Sequence, residues 1–125
     1  MEVIKIMGTD ETPTVLLDAA NNIFEISGRS LPEDVNTFYS PLIQWMDKYN
    51  QAPNAKTVFN FKLVYFNTAS SKVLLDILMK LEDLHKAGKE VEVHWHYAED
   101  DEDMKEAGEE YADIVDVPFV QIAIA

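Results

Sequence analysis

The sequence predicts an α/β domain with a mixed β-sheet and helices packed mainly on one face. Two observations lead there. β-rich runs alternate with segments of helical periodicity along the chain, which implies crossovers and at least partly parallel pairing. The two longest strand signals carry polar residues on one side, alternating with apolar ones, so one sheet face is at least partly wet and the helices are expected on the other. The length of 125 residues fits a single domain over residues 1–125 with one hydrophobic core.

The elements follow in order. Residues 13 to 18 and 22 to 27 are β-rich, and Asp18-Ala19-Ala20-Asn21-Asn22 between them is turn chemistry, so they read as a hairpin. A helix is expected from about residue 33 to 49, with Phe38, Leu42, Trp45, Met46 and Tyr49 as its buried stripe. Pro41 inside that stripe is expected to kink or break it. In the strand from Thr57 to Phe66, alternation puts Phe59, Phe61, Leu63 and Tyr65 on one side and Asn60 and Lys62 on the other. A second helix is expected from about Ser70 to Lys86, stopped by Gly88. The next strand alternates Val91, Val93, Trp95 and Tyr97 with Glu92, His94 and His96, and an acidic helix and a last strand, Phe119 to Ile124, complete the chain.

Composition narrows the function. The formal charge of −13 repels phosphate backbones and anionic lipid, so nucleic acid is a poor partner. No apolar run is long enough for membrane insertion, and the N-terminus lacks a secretory signal pattern, so a cytoplasmic location is the default expectation. With no cysteine, thiolate nucleophiles and sulfur-rich metal sites are excluded. Residues 99 to 113 are dense in carboxylates against the single Lys105, but Asp100-Asp101-Glu102-Asp103 lacks the central glycine and spacing of a calcium loop. Neither a nucleophile elbow nor a phosphate-cradling glycine loop is present, so the chain reads as a binding protein and not an enzyme, with no cofactor. His94 and His96, with Glu92 on the same strand face, have a spacing that can bind metal, and a small-ligand or metal-binding module is one alternative.

The segment Asn67-Thr68-Ala69-Ser70-Ser71-Lys72 stands out because it places three hydroxyls where a strand gives way to a helix. Capping accounts for such hydroxyls. The same free amides and helix dipole also tolerate a phosphate. Leu74, Ile77, Leu78, Leu81 and Leu84 form the core stripe of the helix, whereas Leu75 and Met79 fall nearly opposite, beside Lys72. Leu75 and Met79 are therefore expected either to be exposed as a docking patch or to be packed by a neighbouring element such as the acidic helix. Asn67, Thr68, Ala69, Ser70, Ser71, Lys72, Leu75 and Met79 are the candidate partner-binding residues.

Leu63 to Lys72, followed by Leu74 and Asp76 and the strand end His94-Trp95-His96-Tyr97, resembles the SiaC-type bacterial regulatory phosphoproteins. Gly8-Thr9, Thr12-Pro13, Ser30, Pro32-Glu33 and Trp45 fit the same family, so the resemblance covers almost the whole chain. It implies a fold similar to the STAS domains of anti-sigma-factor antagonists, and a partner-switching role. An unphosphorylated form binds and activates a GGDEF-type diguanylate cyclase, a dedicated protein kinase modifies a threonine, and a PP2C-type phosphatase resets it. By motif match that threonine is Thr68. Sigma-regulating STAS domains usually carry Asp-Ser-Ser-Gly where this chain has Asn67-Thr68-Ala69-Ser70, which favours the SiaC type over an antagonist of an anti-sigma kinase.

Overall fold

The computed structural model describes residues 1–125. Nine elements follow one another: β1 (Ile4–Ile6), β2 (Thr14–Asp18), β3 (Ile23–Ser30), α1 (Val35–Tyr49), β4 (Lys56–Phe66), α2 (Thr68–Lys86), β5 (Glu90–Ala98), α3 (Glu102–Ile114) and β6 (Phe119–Ile124). The six strands form one sheet whose spatial order equals their chain order. β1, β2 and β3 pair antiparallel, and β3 through β6 pair parallel, each parallel step bridged by a helix. The expected α/β class and mixed sheet are therefore observed.

The core lies between the helices and one sheet face. Phe24, Phe59, Phe61, Val93 and Trp95 from the strands are buried with Leu42, Met46 and Tyr49 of α1, Leu74, Ile77, Leu78 and Leu81 of α2, and Met104 and Tyr111 of α3. Aromatic rings run through it: Phe24 contacts Tyr49 at 5.0 Å between centroids, Phe59 stacks on Phe61 at 4.8 Å, and Trp95 meets both Phe61 and Tyr111 at 5.5 Å. On the opposite face Asn60, Lys62, Glu92, His94 and His96 are only partly buried, with no helix over them.

Several expectations need correction. β1, three residues long, is too short to show periodicity in the sequence, yet it extends the hairpin as an edge strand. α1 runs unbroken through Pro41. Both Pro41 and Thr37, whose carbonyl loses its partner, lie on the exposed side, where water can satisfy that group. Tyr65 does not continue the buried side of β4. The β3–β4 register jumps between Gly28 and Arg29, so Gly28 sits opposite Leu63 and Arg29 opposite Tyr65, leaving Val64 as an extra residue. This bulge shifts the alternation: Val64 and Tyr65 are exposed and Phe66 turns inward onto Trp95.

Gly108 of α3 records how closely that helix approaches the sheet. A Cβ there would lie 2.7 Å from both Trp95 Nε1 and Gln121 Nε2. In an open helix, Gly→Ala stabilises by about 1 kcal/mol. Here overpacking reverses the sign, and Gly108→Ala is expected to destabilise the fold by about 1–3 kcal/mol in chemical denaturation.

Candidate functional site

The strand-to-helix junction between β4 and α2 is built from a cap, a buried hydroxyl chain and an exposed ridge. Asn67, in extended backbone, is the N-cap of α2, and its Oδ1 accepts from Ser70 N at 2.8 Å. Asn67 O accepts from Ser71 N at 3.0 Å. The helix therefore begins at Thr68, two residues earlier than the sequence suggested, because an asparagine and not a hydroxyl residue caps it.

Beneath the cap, Ser30, Ser70 and Tyr39 are 0%, 0% and 1% exposed. Ser30 Oγ lies 2.6 Å from Tyr39 Oη, and Ser30 Oγ donates to Ser70 Oγ at 2.9 Å. Ser70 Oγ in turn donates to Ser30 O at 3.0 Å, and Asn67 N donates to the same carbonyl at 3.1 Å. With Ser30 donating to Ser70, Tyr39 is the donor to Ser30, and every hydroxyl in the chain is used once. Burial pushes the Tyr39 phenol up to about 12, only partly offset by the Ser30 hydrogen bond, so it stays protonated as that donor. A second phenol braces the first turn from outside: Tyr111 Oη of α3 donates to Ser71 O at 2.7 Å. Burial raises its ionisation well above the ordinary tyrosine value.

The three candidate hydroxyls thus separate. Ser70 is inside the protein and structural, which corrects its assignment as a partner-binding residue. Asn67, half-buried, spends its side chain on the cap. Ser71 Oγ is tied to Thr68 O at 2.6 Å. Thr68 itself is exposed at the first helical position, and its hydroxyl enters no side-chain hydrogen bond. The amides of Thr68 and Ala69, the first two of the helix, have no intrahelical acceptor.

On α2, Thr68, Lys72, Leu75 and Met79 follow one another at steps of four, three and four residues, so they share one stripe. Thr68, Ala69 and Lys72 are exposed, and Lys72 makes no ion pair. Met79 is 47% exposed, as expected. Leu75 is only partly so, because it also packs against the core, and a fully exposed Leu75 is corrected to a half-buried one. Val64 and Tyr65, 64% and 47% exposed, flank the same loop, with the Arg29 guanidinium 5.5 Å from the Tyr65 ring centre. Alternation along β4 already puts Val64 on the side of Asn60 and Lys62, but it had no means of finding Tyr65, since the bulge that turns Tyr65 outward is visible only in the pairing.

The open sheet face carries the other candidate. His94 Nε2 lies 2.9 Å from Glu92 Oε1, whose carboxylate also meets Lys56 at 3.0 Å. Those contacts, His94 first, hold Glu92 below its ordinary value. His96 Nε2 turns to Asn60 Oδ1 at 2.9 Å, and no three metal-type ligands converge. The face is a set of satisfied polar pairs.

Comparison with known proteins places the chain. A model of the SiaC family of regulatory phosphoproteins matches residues 6–124. An uncharacterized protein of Pseudomonas aeruginosa (strain UCBPP-PA14) is 30% identical over 119 residues, 95% of this chain and 94% of that one. The solved structure of SiaC of Pseudomonas aeruginosa superposes with a TM-score of 0.89 at 30% identity, over 99% of this chain and all of that one. A crystal structure of the diguanylate cyclase SiaD in complex with its activator SiaC, from the same organism, matches at 0.90 and 30% identity, over 97% of this chain and 99% of that one.

Two outcomes are expected. Ser30→Ala leaves the buried Tyr39 hydroxyl without its acceptor and should destabilise by about 1–3 kcal/mol in urea denaturation, while adding Tyr39→Phe should recover part of the loss. Burial holds the His96 imidazole below its ordinary value of 6.5, so the unfolded chain binds the proton more readily. Its stabilisation is complete above that pH and is lost as pH falls through the lowered folded value. His96→Gln should accordingly lose less stability than wild type between pH 7.5 and pH 5.5.

Proposed function

Because the chain belongs to the SiaC family of regulatory phosphoproteins, we propose that it is a partner-switching regulator whose unphosphorylated form binds and activates a GGDEF-type diguanylate cyclase. A protein kinase phosphorylates Thr68 and releases the cyclase, and a PP2C-type phosphatase restores binding. The chain acts by docking and carries out no chemistry of its own.

One observation supports this reading above the rest: of the three hydroxyls at the start of α2, only that of Thr68 is both exposed and uncommitted, and it lies in line with Lys72, Leu75 and Met79. A kinase can reach it without opening the fold, whereas reaching Ser70 would require breaking the buried hydroxyl chain. Phosphate at this position adds nearly two negative charges beside free helix amides, so the folded chain tolerates it. A partner covering the ridge meets a different situation. It must desolvate the phosphate or leave it unpaired at a cost of several kcal/mol, which lowers affinity by about a hundredfold or more. The switch thus operates by changing what can dock, with the fold held constant. Met79 supplies adaptable apolar contact and Lys72 an unpaired cation for a carboxylate of the partner.

Thr68→Ala is expected to retain binding to the cyclase in a pull-down and Thr68→Asp to lose at least about tenfold in affinity, with circular dichroism unchanged. Full binding by a folded Thr68→Asp protein contradicts the mechanism. Mass spectrometry of protein from the native host should map phosphate to Thr68 and never to Ser70. Met79→Glu should abolish cyclase binding while shifting the melting temperature little, because surface changes fall within about 0.5 kcal/mol.

A further inference from the structure

We infer that the free edge of β6 is a strand-addition site for an extended protein segment in which apolar residues alternate with lysine or arginine. The inference rests on the sheet edge alone and is independent of the Thr68 switch.

The two edges of the sheet are treated differently. β1 closes one side with three residues and an exposed lysine, Lys5, at its centre. A short strand with a central charge is how proteins blunt an edge against further pairing. β6 closes the other side with Phe119–Ile124, a six-residue strand with no charged residue and no proline. It pairs with β5 in unbroken register. Val93 N donates to Pro118 O at 2.8 Å and Glu99 N to Ile124 O at 2.9 Å. Backbone groups alternate along a strand, so the even-numbered residues of β6 face β5. The N–H and C=O groups of Phe119, Gln121 and Ala123 point away from the sheet and have no neighbour.

Side chains next to this edge set the chemistry of what fits. Val120, Ile122 and Ile124 share the open sheet face with His94 and His96, to which the first two are register partners, and Val120 and Ile124 are exposed. An added strand would lay its own apolar residues beside them. The other side of the edge is acidic. α3 packs on the helix side of the sheet with Gly108 against Gln121, and carries Glu102, Asp103, Glu106, Glu109, Glu110 and Asp113 against Lys105. Glu99 stands at one end of β6 and Asp116 just before the other. Period-two alternation then selects apolar residues for the open face and cations for the acidic side. The same carboxylates disfavour a second copy of this chain, because edge-to-edge pairing brings two molecules of formal charge −13 together.

The test uses a short synthetic peptide of alternating lysine and valine, titrated into the isotopically labelled full-length protein, with an alternating glutamate and valine peptide as control. Saturable binding of the lysine peptide is expected, with slowed amide exchange at Phe119, Gln121 and Ala123 and no binding of the glutamate peptide. Ala123→Pro removes an outward N–H without touching the β5–β6 ladder and should weaken binding at least about tenfold. Ala123→Lys keeps the backbone and should weaken it through charge, which decides the matter if the proline variant does not fold. Absence of saturable binding, equal affinity for a folded variant, or protection confined to α2 overturns the inference. So does dimerisation of the wild type in sedimentation that Ala123→Pro abolishes, since the edge is then occupied by a second copy.

Discussion

The hydrogen-bond chain from Tyr39 through Ser30 to Ser70 joins three elements that are distant in sequence: Ser30 ends β3, Tyr39 lies in α1 and Ser70 in the first turn of α2. Its members are almost wholly buried, so breaking any link leaves a polar group without a partner in a low-dielectric environment. That penalty fixes where α2 starts relative to the sheet. Asn67 adds to it from above by capping the helix and donating its own amide to Ser30 O, and Tyr111 adds to it from α3. Thr68 stands on this support. Its exposure is therefore a property of the whole junction, and a modification there changes the surface without loosening what lies beneath.

The one-sided sheet gives the molecule its division of labour. All three helices share the face that holds the core, which makes the outer surface of α2 available for docking and leaves the opposite sheet face to polar pairs such as Glu92 with His94 and His96 with Asn60. A net charge of −13 spread over so small a surface favours solubility and opposes self-association. It also steers partners that present cations, which suits a protein whose work is to meet other proteins.

Much of this was legible in the sequence, because the relevant signals are local. The alternation in β4 and β5, the leucine stripe of α2 and the turn at Asp18–Asn22 each report a periodicity or a turn preference within a few residues, and the sheet and its bare face followed from them. The exposure of Met79 was also legible, since helical spacing alone places it off the core stripe, whereas Thr68 was singled out by the family resemblance and not by spacing. What escaped required pairing between distant segments. The bulge at Val64 depends on β3 register and turned Tyr65 outward against the alternation. Ser70 looked like a free hydroxyl because its partner, Ser30, is forty residues away in sequence. Leu75 looked exposed on the wheel and is half-covered by the packed core.

The proposed switch is tested most directly by titrating a GGDEF-type diguanylate cyclase from the same genome with this protein, unmodified and stoichiometrically phosphorylated on Thr68, while following cyclic di-GMP synthesis. Activation by the unmodified protein, with about a hundredfold or more of the phosphorylated form needed for the same rate, is the predicted result. Superimposable activation curves for the two forms contradict it.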